Sequence, residues 1–163
     1  MTRCGLLVLA TCVLAAGCGD DDSTTGPSTA PMVFTATLSP ASEVPPIGNA
    51  ESGGRGAVQI TIAGNRASFY FQLTGFPGDT RVVGAHIHPG GAGVNGPVIV
   101  STGVSAASPV VLSKSITEFS ATDIAVDPSI VQGMINNPAG YYFNVHSPLN
   151  PGGFARGQLI RTQ

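Results

Sequence analysis

From Ala57 to Thr74 the chain keeps a period of two. Val58, Ile60 and Ile62 alternate with Ala57, Gln59 and Thr61; after Gly64-Asn65, the residues Ala67, Phe69, Phe71 and Leu73 recur at every second position. Neighbouring side chains of an extended chain point to opposite faces, so this pattern makes an apolar face on a strand but scatters around a helix. Gly64-Asn65 is a two-residue turn signal between the runs, and a β-hairpin follows. The same logic extends outward, because 22 glycines and 13 prolines in 163 residues interrupt long helices. A hydrophobic fraction of 42% is enough to build a core.

Other stretches repeat the pattern. Met32 to Ser39 alternates and stops at Pro40, and Thr80 to His88 places Val83, Ala85 and Ile87 on one face. Residues 97–102, 109–119, 141–147 and 154–162 are further strand candidates. A helix is expected over Asp127–Asn137, with Asp127 as N-cap, Pro128 in the first turn and Ile130, Val131, Met134 and Ile135 at helical spacing. The predicted fold is all-β: an antiparallel Greek-key sandwich or barrel of about seven or eight strands with one short helix.

The first seventeen residues read separately. Arg3 precedes the apolar run Leu6–Ala16, which is too short to span a bilayer permanently, and Ala15-Ala16-Gly17 leads into Cys18. This resembles the lipobox of bacterial lipoproteins, in which the cysteine is lipidated and becomes the mature N-terminus; the alternative is an ordinary secretory signal followed by an incidental cysteine. Residues 1–17 are then a signal peptide, Cys18 the lipidation site, and 18–31 a flexible tether rich in Asp, Ser, Thr, Gly and Pro. Residues 32–163 form the domain. The expected location is the cell envelope, anchored to the membrane by lipid. Gly19 is not the aspartate that marks inner-membrane retention in enteric bacteria, which favours the outer membrane or cell surface.

Cys4 and Cys12 fall in the signal and Cys18 carries the lipid, so the domain has no thiol for a disulfide or a metal. Six cations in residues 32–163 balance six acids, with no basic cluster, which excludes nucleic acid as a partner. The acids are dispersed, and no Gly-x-Ser-x-Gly elbow occurs, so no catalytic constellation is recognised.

The chain's three histidines carry the remaining chemistry: His86 and His88 in Gly84-Ala85-His86-Ile87-His88-Pro89, and His146 in Tyr142-Phe143-Asn144-Val145-His146. On a strand His86 and His88 project from one face, and His146 shares its face with Tyr142 and Asn144. If the strands meet, three imidazoles suit one copper or zinc ion with an open position; otherwise they are polar residues on a solvated face. The loop Gly90–Gly96 lacks the lysine and following helix of a phosphate loop, and reads as a tight turn. Glu43, before two prolines, and Arg156 are candidates for an ion pair joining the first and last segments, with solvated side chains as the alternative.

Several of these motifs resemble the CHRD domain. They are Leu38–Pro46 with Glu43, Ala85-His86-Ile87-His88 followed by Gly93-Val94-Asn95-Gly96-Pro97-Val98, then Tyr142–Ser147 with Asn150-Pro151-Gly152-Gly153, and finally Arg156-Gly157-Gln158. The resemblance runs from about Val33 to Ile160 and implies an extracellular β-domain. Phe154 and Ala155 replace the acid and aliphatic residue of the family's usual Gly-Glu-Ile-Arg-Gly-Gln ending, and Ser147 replaces a threonine. A more distant similarity is to copper/zinc superoxide dismutase, whose copper-binding His-x-His strand and later histidine match His86, His88 and His146. Its bridging histidine, remaining zinc ligands and steering arginine have no counterpart here.

Three functional readings follow: a lipid-anchored CHRD module that binds an extracellular protein or ligand and has an accessory copper or zinc site; a mononuclear copper enzyme or copper-handling protein of dismutase-like fold; or a structural surface module whose histidines only hydrogen-bond.

Overall fold

The computed structural model describes Met1 and residues 30–163, so the rest of the expected signal peptide, Cys18 and nearly all of the tether lie outside the described residues. No helix among the described residues is long and apolar enough to cross a membrane. The domain is an all-β sandwich with one α-helix. Its strands are β1 (Met32–Leu38), β2 (Arg55–Ala63), β3 (Arg66–Thr74), β4 (Arg81–Val82), β5 (Gly84–Pro89), β6 (Val100–Ser101), β7 (Val110–Val111), β8 (Thr117–Ala125), β9 (Tyr141–His146), β10 (Ala155–Gln158) and β11 (Ile160–Arg161). A five-stranded sheet has the order β11-β1-β2-β3-β8, a four-stranded sheet the order β10-β9-β5-β6, and β4 pairs with β7 in a small third sheet. Every pairing is antiparallel.

The hairpin forms as the alternation predicts. β2 and β3 are in register from Arg55 opposite Thr74 to Ala63 opposite Arg66, with Gly64 at φ 60° in the turn. The left-handed conformation there costs a glycine little. Val58, Ile60, Ile62, Phe69, Phe71 and Leu73 are buried and face the other sheet. Phe143 of β9 meets them, its ring centroid 6.0 Å from Phe69 and 5.8 Å from Phe71. The helix α1 spans Pro128–Asn136, and the Asp127 side chain accepts the Ser129 amide at 2.7 Å as its cap. Val131 and Met134 are its buried residues.

Four expected strands are broken. Thr80–His88 divides at Val83 into β4 and β5, which belong to different sheets. Only Val100–Ser101 of the 97–102 candidate is strand. The 109–119 candidate separates into β7 and the longer β8, because residues 113–116 turn, with the Ser113 amide donating to Thr117 Oγ1 at 2.9 Å. The alternation of β8 slips where Asp123 takes φ 59° and its register against β3 shifts between Ala67 and Phe69, which hides its second half from a strict period of two. Residues 154–162 divide at the buried Leu159, where the chain leaves the four-stranded sheet as β10 and joins the five-stranded one as β11. Beside that crossing Ser39 and Arg156 exchange backbone hydrogen bonds of 3.0 and 3.3 Å, tying the two sheets together along one edge.

Candidate metal centre

Ala85 and Ile87 of β5 and Phe143 and Val145 of β9 point into the core, so their neighbours in the sequence point outward. The β5–β9 register sets Gly84 opposite His146, His86 opposite Asn144 and His88 opposite Tyr142. On the far side of β9, Arg156 stands opposite Asn144 and Gln158 opposite Tyr142. Directly opposed residues share a face of the sheet. The outer face is therefore a polar layer, and loops cover much of it: His88, Tyr142, Asn144 and Arg156 are all buried.

The three histidines converge in this layer. Ring centroids are 4.9 Å apart for His86 and His146, 5.6 Å for His88 and His146, and 5.8 Å for His86 and His88. One nitrogen from each ring lies within 4.8 Å of the other two. Gly84 opens this space, since a Cβ there would sit 2.8 Å from Cε1 of His86 and 3.3 Å from Cδ2 of His146.

Two rings are held from behind. Nδ1 of His88 is 3.0 Å from the Gly96 carbonyl oxygen, and Nδ1 of His146 is 3.0 Å from that of Pro151. A carbonyl only accepts, so in each case Nδ1 carries the proton and Nε2 keeps its lone pair. Those Nε2 atoms, together with Nδ1 of His86, are buried and have no hydrogen-bond partner. Burial, with the neighbouring His146 and His88, lowers the pKa of His86 to about 4. His88 and His146 are also lowered, chiefly by burial and against their carbonyl hydrogen bonds. All three rings are neutral at pH 7, the form in which imidazole binds a metal.

Tyr142 braces His88 twice. Its ring stacks on the imidazole at 5.0 Å and an interplanar angle of 7°, and its hydroxyl accepts the Gly96 amide at 3.0 Å, holding the same residue whose carbonyl, in the next peptide, meets His88. The guanidinium carbon of Arg156 lies 4.7 Å from the Tyr142 ring centroid.

The expected Glu43–Arg156 ion pair does not form as a contact. The only ion pair within 4.0 Å among the described residues is Arg66–Asp123 at 3.6 Å. The Arg156 guanidinium instead donates from Nε to the Ser42 carbonyl at 2.6 Å and from Nη1 to Asn95 Oδ1 at 2.7 Å, clamping both covering segments. Glu43 is buried nearby, and desolvation raises its pKa to about 7 despite the opposing charge of Arg156 and an interaction with Asn144. Two clefts flank the segment following Glu43. One, about 370 Å³, lies between residues 43–49 and the 149–153 loop.

The sequence reading missed Glu51, a buried carboxylate bonded to Ser147 and Asn150. It stands in a Gly/Asn/Ser-rich stretch that reads as solvated, and the Ser147 contact spans 96 residues, so no local pattern announces it. Tyr142 and Asn144 did carry a signal, because strand phase places them on the face of His146.

Fold and site together define an all-β sandwich domain with three histidines clustered on the outer face of one sheet, one ring nitrogen of each buried. The family model of the CHRD domain matches residues 34–159, and the chain belongs to that family, in agreement with the motifs read from the sequence. No curated protein matches the chain.

Proposed function

We propose that this protein is a lipid-anchored, extracytoplasmic CHRD binding module in which His86, His88 and His146 hold one copper or zinc ion. The observation that carries the metal is that each of the three rings has a buried nitrogen without a partner, in a cluster where one nitrogen of each ring lies within 4.8 Å of the other two. Leaving buried polar atoms without partners costs about 1–3 kcal/mol each, and one cation satisfies all three.

The residues fit such an ion. Nitrogens bound to one tetrahedral zinc at roughly 2.0–2.1 Å stand about 3.4 Å apart, so a spread of up to 4.8 Å closes when the rings move together by about 1.4 Å or less. Three neutral imidazoles without thiolate suit copper or zinc, and carbonyl acceptors behind two of the rings are the usual outer support of histidine ligands. A bound ion would supply Lewis acidity or, for copper, one-electron chemistry at its open position. The cleft between residues 43–49 and 149–153 is the surface offered to an extracellular ligand or protein.

A copper redox enzyme or copper-handling protein is the second reading, favoured by His86, which is only partly buried and gives the cluster a route to solvent. Metal analysis of the untagged protein tests both. Stoichiometric copper or zinc, lost in His146→Ala, is the expected result. A redox-active copper spectrum promotes the enzyme, and no metal above background removes both metal readings.

A further inference from the structure

Glu51 lies in a 3-10 turn at Ala50–Gly53, its amide accepted by the Asn49 side chain at 3.1 Å. The residue is only 3% exposed, and its carboxylate has no cation within ion-pair distance among the described residues. What it touches is the loop after β9. Oε2 accepts the Ser147 hydroxyl at 2.7 Å and also the Asn150 side-chain amide. Ser147 Oγ in turn accepts the Asn150 backbone N–H at 3.0 Å, while the Asn150 carbonyl accepts from Gly153 at 3.1 Å and from Ser147 at 3.3 Å. The turn is closed on itself and pinned to Glu51 by two donors. Within it sits Pro151, whose carbonyl oxygen faces Nδ1 of His146.

We infer that Glu51 is the positioning residue for His146: through Ser147 and Asn150 it holds the Pro151 carbonyl where it fixes the proton on Nδ1 and turns the Nε2 lone pair toward the other two histidines. An acceptor is required at this place, because both groups that reach it are donors. Hydrogen bonds to a carboxylate are about twice as strong as those to a neutral acceptor, and the side chains of Asn49 and Asn150 add to the hold by exchanging hydrogen bonds of 2.8 and 3.3 Å. His88 serves as an internal comparison, since its carbonyl partner is held by Tyr142 and not by Glu51. The consequence for a metal rests on the proposed copper or zinc site; the consequence for the imidazole does not.

The test therefore has two arms on the full-length protein. Long-range proton–nitrogen spectra of the metal-free protein should show His146 as a single Nδ1–H tautomer in wild type and a mixture in Glu51→Ala, with His88 unchanged. Glu51→Gln, whose side-chain carbonyl still accepts, should largely restore the wild-type tautomer. In the second arm, copper or zinc affinity should fall by about 10–100-fold in Glu51→Ala and less in Glu51→Gln. An unchanged His146 tautomer in Glu51→Ala overturns the inference, as does an equal disturbance of His88. If Glu51→Ala does not fold, Ser147→Ala, which removes one of the two donors, decides by the same spectra. Wild type that takes up neither metal overturns the metal reading alone, and the tautomer arm still decides the role of Glu51.

Discussion

Gly84 and His146 face each other across the β5–β9 ladder, and the side chain that the first lacks is the space that the imidazoles occupy. A Cβ at Gly84 would press on the rings of both His86 and His146. Gly84→Ala should therefore leave the strand paired, since its backbone needs no unusual conformation, yet drive the rings apart. Copper or zinc affinity should fall by about 10-fold or more, a loss of about 1.4 kcal/mol or greater, measured by calorimetric titration alongside an unchanged circular-dichroism spectrum.

The buried titratable groups oppose one another in pH. His86, at about 4 when folded against about 6.5 when free, binds fewer protons in the native state, so its contribution is absent above pH 6.5 and destabilises as pH falls from there toward 4. His88 and His146 act in the same direction. Glu43, at about 7 when folded against 4.5 when free, binds more protons in the native state, so its contribution is present below 4.5 and lost as pH rises through 7. Glu43→Gln should remove that opposing contribution. Urea midpoints of the metal-free variant should then rise more steeply between pH 4.5 and 7 than those of wild type, and lie above wild type at pH 8.

Phe143 joins the two sheets, fully buried against Phe69 and Phe71. Phe143→Ala leaves a cavity between them and should cost about 3–5 kcal/mol in urea unfolding. A loss below about 1 kcal/mol would contradict this packing.

Cys18→Ser tests the anchor. The proposed lipidation predicts that the variant is either released from membranes or left unprocessed, as read by fractionation and the mass of the N-terminus. Continued processing and membrane retention would remove lipid from the reading.

The hairpin, the capped helix and the facing of His86 with His88 were legible because each rests on neighbours in sequence: a period of two, an Asp-Pro start, an i, i+2 spacing. The broken strands were less legible, since sheet membership changes at Val83 and Leu159 without any interruption of the apolar pattern that a single strand would show. Glu43 and Arg156 are both buried, but the contacts of Arg156 depend on which oxygens the covering segments bring to the guanidinium, and no local pattern announces those.

The sequence by itself determined that the domain is built of strands, that it has no thiol, and that any imidazole cluster must use His86, His88 and His146. Only the tertiary structure decided that the three rings meet and which nitrogen of His88 and of His146 is free. The reason is physical: strand phase is a local property of the chain, whereas convergence depends on the β5–β9 register and a ring's tautomer on a carbonyl presented by a loop. For His146 that carbonyl is Pro151, and the loop that presents it is held by Glu51, nearly a hundred residues earlier.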